Sequence, residues 1–155
     1  EALGAVDELN SWLGLVRSFL PSKNFFIKKQ SLANIILSVQ ENLFIIQAEL
    51  AGADKHLKKL AINKLEQIIA QIESELAPIK SFLIPGSSEL SAYLDLARTV
   101  SRRAERRVVL ASEEGQIKVK PNTLAYLNRL SSLLYALARL ASQREGAEEH
   151  KPSYK

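Results

Sequence analysis

Cysteine is absent from this 155-residue chain, which excludes a disulfide framework, a thiolate zinc site and a cysteine nucleophile. The same absence fits a cytoplasmic setting. Methionine is missing too, even at the first position, so the expectation is that the chain begins inside a longer gene product or has been trimmed. Imidazole is nearly as scarce. His56 and His150 are the two histidines, and neither belongs to a helical Glu-x-x-His pair of the kind that carboxylate-bridged di-metal bundles use. The sequence therefore argues against a metal held by protein alone. Apolar runs are short, Leu43 to Ile46 being typical, whereas a membrane span needs about 18 residues or more; no membrane partner is expected.

What remains is ordinary for a folded domain. Hydrophobic residues make up 46% and charged residues 25%, well outside the disordered and collagen-like classes, and the length suits one core. The net charge is +4. Between Arg98 and Arg107 lie five arginines and one glutamate, a local surplus equal to that of the whole chain. The basicity is one local feature.

Apolar residues recur at alternating three- and four-residue steps, the period of helices that bury a stripe. The first segment carries Val6, Leu9, Leu13, Val16 and Leu20 and stops at Pro21, with Ser22, Lys23 and Asn24 making the turn. The second runs through Leu32, Ile36, Val39, Leu43, Ile46 and Leu50 to a C-terminal cap near Gly52. A third uses Leu65, Ile69, Ile72 and Leu76 and is closed by Pro78. Phe82 to Ser88 reads as an ordered loop, punctuated by Pro85-Gly86, with serines placed to cap the next helix. The fourth helix is expected from about Ser88 to Ala111 and the fifth from about Asn122 to Gln143. No strand alternation competes. These elements predict an all-α, up-and-down five-helix bundle: residues 1–145 form one domain, and 146–155 form a charged, mobile C-terminal tail.

The fourth helix is two-faced. With Arg98 at zero and a rotation of about 100° per residue, Arg102 falls at about 40°, Arg106 at about 80°, Asp95 at about 60°, Ser91 at about 20° and Glu105 at about −20°. Tyr93, Leu96, Ala97, Val100, Ala104 and Val108 occupy the other side as the core stripe, with Arg103 and Arg107 at its edge. A charged helix face is most often simply solvated. Here, however, every cation is arginine, whose planar fork binds phosphate or carboxylate with two parallel hydrogen bonds. Polyphosphate and inter-helix carboxylates are both open. Nucleic acid is disfavoured, because the rest of the chain is neutral and no DNA- or RNA-binding motif is present. Asp7-Glu8 with Asn10-Ser11 near the start reads as helix-dipole chemistry. Asn128-Arg129, inside a leucine-rich helix, needs a partner or a ligand. Phe82 with Leu83 and Ile84 is either core or the wall of a pocket.

Four blocks carry a family resemblance: Gly4-Ala5-Val6-Asp7-Glu8-Leu9-Asn10-Ser11, Phe82-Leu83-Ile84-Pro85-Gly86-Ser87, Ala97-Arg98-Thr99-Val100-Ser101-Arg102-Arg103-Ala104-Glu105-Arg106-Arg107 and Tyr126-Leu127-Asn128-Arg129-Leu130-Ser131. In this order they resemble the signatures of PduO-type ATP:cob(I)alamin adenosyltransferases, over about residues 1 to 142. The resemblance implies a five-helix bundle, ferritin-like in appearance and assembled as a homotrimer, with sites between neighbouring subunits. It implies transfer of the 5′-deoxyadenosyl group of ATP, carried with Mg²⁺, to cob(I)alamin, giving adenosylcobalamin and triphosphate. By motif, Arg102, Arg103, Ala104, Glu105, Arg106 and Asn128 would contact ATP, with Arg102 and Phe82 serving the reaction. Asp7 would pair with Arg98 across the subunit boundary, and Phe82 would lie at the lower face of the corrin. A flavin reductase and an adenosylcobalamin-dependent acceptor enzyme are the implied partners.

Five positions depart from the family pattern: Asp95 stands for histidine, Ser101 for cysteine, Ser87 for a common second glycine, Ser132 for aspartate and Ser142 for a frequent asparagine. A Gly/Thr/Ser-rich segment with a lysine, which in the family wraps the triphosphate, would precede residue 1. The alternatives are a non-enzymatic helical scaffold whose arginine stripe binds an acidic partner or nucleic acid, and a cobalamin carrier that has lost catalysis.

Overall fold

A computed structural model describes residues 1–20 and 25–154; the turn expected at Ser22, Lys23 and Asn24 lies outside them. Five helices carry the fold: α1 (Ala2–Ser18), α2 (Leu32–Leu50), α3 (Lys59–Glu73), α4 (Glu89–Glu113) and α5 (Pro121–Arg144). Lateral packing places them in the order α2, α1, α4, α5, α3, so α4 lies between α1 and α5 and its outer face is left for a site. One continuous apolar core runs through all five, built from the expected stripes: Val6, Leu9, Leu13 and Val16 on α1, Ile36, Val39, Leu43 and Ile46 on α2, and Leu127, Leu130, Leu134 and Leu137 on α5. Among the described residues no helix is long and apolar enough to cross a membrane.

Helix ends follow local chemistry. The Ser88 hydroxyl accepts the N–H of Ser91 and caps α4, as the loop serines suggested. Gly52, at φ 88°, ends α2 in the left-handed region that glycine occupies without strain. The third helix stops three residues short of the expected Leu76. Ser74 bonds back to the Gln71 carbonyl, and the N–H groups of Glu75 and Leu76 turn to Ile72 and Glu73, tightening the chain out of the α-helix.

Two further corrections come from packing. A short antiparallel ribbon, β1 (Phe26–Ile27) with β2 (Gln30–Ser31), precedes α2, although no strand was expected; two residues per strand are too few to show alternation. In α4 the buried arc is rotated away from the predicted stripe. Leu96 is 41% exposed and Tyr93 is half-buried against Phe19, while Leu90, Leu94, Ser91 and Ser101 are buried. The reason is that α5 covers one flank of α4 more extensively than α1 covers the other.

Beyond Gly146 the described residues are tied back to the bundle, first by the Ala147 N–H, which donates to the Ser142 carbonyl at 3.0 Å. The Ile84 N–H donates to the His150 carbonyl at 2.8 Å, and Glu149 faces Arg139 at 3.9 Å.

Candidate functional site

The arginine helix is divided by its partners. Arg103 pairs with Glu8 at 2.5 Å and Arg107 with Glu1 at 3.0 Å, so α1 and the residue that precedes it supply the acids that neutralise the cations on that flank. Arg102 and Arg106 point the other way and have no ion pair among the described residues. Both are exposed and line a groove of about 460 Å³ with Glu105, Val109, Leu110, Glu113 and Asn128. Asn128 on α5 donates to Glu105 Oε1 at 2.8 Å. Like charges four residues apart on a helix repel, and two unpaired guanidinium forks in that register form a ready clamp for an anion such as polyphosphate. Ala104 is completely buried, so its small side chain serves helix packing while its neighbours reach outward.

A second concavity lies toward the start of the same helix. It encloses about 520 Å³, walled by Ile79, Phe82, Leu83, Ile84 and Pro85 from the loop before α4 and by Tyr135 and Ala138 from α5. Phe82 is 79% exposed, which settles the reading left open by the sequence: it belongs to a pocket wall rather than the core. An aromatic ring that exposed leaves apolar surface available to a partner or ligand.

Its polar floor is Asp95 and Arg98, joined Nε to Oδ1 at 2.8 Å and both largely covered. The Arg98 guanidinium also stands 6.0 Å from the Tyr135 ring centroid, within cation–π range. Asp7 does not meet Arg98 within the chain; it accepts a hydrogen bond from Gln47 at 3.1 Å. Cavity and groove thus share α4, the cavity along Ser91, Asp95 and Arg98 and the groove along Arg102 and Arg106.

Tyr135, Arg139 and Glu149 line the cavity without having been singled out in the sequence. Tyr135 had a signal, since it lies two helical turns after Asn128 and shares its face. Glu149 had none, being brought in by the fold of the C-terminal segment. Among the described residues no group of three or more His, Asp or Glu converges as a metal cage.

Comparison with known proteins gives this two-part surface a family. Residues 1–141 match the model of the family described as Cobalamin adenosyltransferase. The chain is 37% identical over 152 residues to a corrinoid adenosyltransferase of Bacillus subtilis, covering 94% of this chain and 75% of that protein. It is 35% identical over 146 residues to the corrinoid adenosyltransferase PduO of Salmonella typhimurium, covering 90% of this chain but 41% of the relative. Among solved structures, a phenylalanine-to-alanine variant of a PduO-type ATP:corrinoid adenosyltransferase from Lactobacillus reuteri, complexed with cobalamin and ATP, superposes with a TM-score of 0.85 at 30% identity, covering 98% of this chain and 84% of that one. An arginine-to-lysine variant of that enzyme, complexed with ATP, reaches 0.84 at 31%, covering 97% and 85%. With sequence, fold and the paired groove and cavity in agreement, the chain belongs to the cobalamin adenosyltransferase family.

Proposed function

We propose that the chain transfers the 5′-deoxyadenosyl group of ATP to cob(I)alamin, with adenosylcobalamin and triphosphate as products. The observation that carries this reading is that Arg102 and Arg106, which have no ion pair among the described residues, stand in a groove one helical segment away from an apolar cavity walled by Phe82, on one helix. The reaction needs both halves. The cobalt(I) electron pair forms a bond to C5′ while the C5′–O bond breaks, and that electron pair leaves with the triphosphate. No general base is required, so catalysis is a matter of alignment and of stabilising the leaving charge.

Arg102 and Arg106 hold the phosphates, and Mg²⁺ arrives on them. Asn128 orients Glu105 and closes the nucleotide side of the groove; Arg103 and Ala104 complete the segment, one anchoring it to α1 and the other to the core. Phe82 presents an apolar face to the corrin and keeps water and a lower axial ligand away from cobalt, which makes the cobalt(I) state easier to reach.

The working unit in this proposal is a homotrimer, in which Asp7 of one protomer meets Arg98 of the next. Exposed Leu3, Leu96 and Leu110 support a further surface to be covered. A flavin reductase supplies the electrons, an adenosylcobalamin-dependent enzyme accepts the product, and the compartment is the cytoplasm. The test is spectral conversion of reduced cobalamin with MgATP, with triphosphate measured in parallel. Stoichiometric adenosylcobalamin and triphosphate are expected; corrinoid binding without ATP consumption, or no binding at all, overturns the proposal.

A further inference from the structure

Three serines to which the reaction assigns no role meet at the cavity: Ser87 and Ser91 in its lining and Ser142 behind them. Ser142 sits on α5 one turn beyond Ala138, which lines the cavity, and is completely buried. Its hydroxyl is hydrogen-bonded to that of Ser87, and Ser87 Oγ is in turn 3.5 Å from Ser91 Oγ on the first turn of α4. A buried hydroxyl is costly unless it is paired, so the position of Ser142 dictates where Ser87 must stand. The backbone of residue 142 is engaged as well, its carbonyl accepting the Ala147 N–H at 3.0 Å.

Ser87 is the point at which the Phe82 loop rejoins the bundle. The next residue, Ser88, caps α4, and the preceding one, Gly86, turns at φ 94°. Only Leu83, Ile84, Pro85 and Gly86 separate the anchor from Phe82, and Pro85 removes freedom from that short tether. A displacement of Ser87 is therefore passed to the Phe82 ring.

Ser87 and Ser142 are in direct contact, hydroxyl to hydroxyl. An asparagine at 142 would carry its amide into the volume of the Ser87 hydroxymethyl group, whereas a glycine at 87 would vacate that volume. Interiors are close-packed, so such a pair changes together or clashes. We infer that Ser142 and Ser87 are a coupled pair of positioning residues that sets the placement of the Phe82 wall, and through it the binding of the corrinoid. The inference rests on the cavity being the corrinoid side of the adenosyltransferase site.

The test is a double-mutant cycle on the full chain, with steady-state KM for cob(I)alamin, KM for ATP and kcat measured separately. Ser142→Asn alone should raise the corrinoid KM about tenfold, with the ATP KM and kcat within about twofold. Adding Ser87→Gly should bring it back to within about threefold of the wild type. Ser142→Ala, which removes one atom and keeps the fold, should raise the corrinoid KM about fivefold with unchanged circular dichroism. The inference is overturned if the Asn and Gly effects simply multiply, or if Ser142→Ala leaves the corrinoid KM unchanged or shifts all three parameters alike. A wild-type chain that makes no adenosylcobalamin refutes the underlying adenosyltransferase reading instead.

Discussion

Asn128 on α5 donates to the Glu105 carboxylate on α4 at 2.8 Å, and this bond holds the one acid between Arg102 and Arg106 away from both cations. Without it, Glu105 is free to pair with Arg102 at i,i+3 spacing and compete with phosphate. Asn128→Ala should raise the ATP KM about tenfold, while stability moves by less than about 0.5 kcal/mol because the contact is exposed. Initial rates against ATP and a thermal melt check both; an unchanged ATP KM sinks the role given to this bond.

Removing a phosphate-binding arginine should separate folding from chemistry. Arg102→Ala should fold normally yet lose about two to three orders of magnitude in adenosyl transfer, the scale of deleting one preorganised charge stabiliser. Arg107→Ala, which loses the exposed pair with Glu1, should stay within about threefold of the wild type, since such pairs contribute little. Equal losses in the two variants would place the phosphate elsewhere on α4.

Phe82 offers the complementary contrast on the corrinoid side. Its ring is 79% exposed in the single chain, so Phe82→Ala should change stability by less than about 0.5 kcal/mol. Transfer to cob(I)alamin should nonetheless fall about ten- to a hundredfold with little change in the ATP KM. Turnover matching the wild type would remove Phe82 from the site.

Subunit assembly is read by sedimentation. Arg98→Ala and Asp7→Asn should each shift the protein toward smaller species and lower turnover together, because breaking one side of a covered charge pair leaves the other unpaired. In Arg98→Ala the Asp95 carboxylate also loses its 2.8 Å partner. Unchanged sedimentation with unchanged turnover would refute the inter-subunit pairing.

Alkaline pH should act through Tyr126. Its phenol is completely buried and held by Asn42 at 3.1 Å; burial pushes its pKa upward, and the Asn42 bond offsets only part of that rise. A group whose folded pKa lies above its unfolded value contributes stability at pH below the unfolded value, and loses it as pH climbs toward the folded one. Stability should therefore fall above about pH 10, and Tyr126→Phe should flatten that fall while costing about 1 kcal/mol at neutral pH. Melting temperature against pH for both proteins decides it; parallel curves would show that Tyr126 does not control the alkaline limb.

Much of the architecture is legible in the sequence. The three- and four-residue spacing of Leu9, Leu13 and Val16 or of Leu127, Leu130 and Leu134 is a local property, and those residues form the core as read. The serine cap of α4 and the glycine end of α2 were equally visible, because caps act on their own backbone. The Phe26–Ile27 ribbon was not, and neither was the exposure of Leu96. One is too short for a period to show, and the other depends on which neighbour covers the helix edge.

The candidate site divides along the same line. Composition and helical rotation alone determined that the chain is a helical bundle with one cationic ridge, since both follow from residue identity and a fixed angle per residue. Which arginines are paired was decided by tertiary structure: Glu1 and Glu8 lie about a hundred residues from Arg107 and Arg103 in sequence, and only the packing of α1 on α4 brings them together. The cavity, too, exists only because α5 and the C-terminal segment close against the Phe82 loop. Local periodicity is written in short stretches of chain, whereas charge pairing and cavity walls depend on distances between stretches that meet only in the folded state.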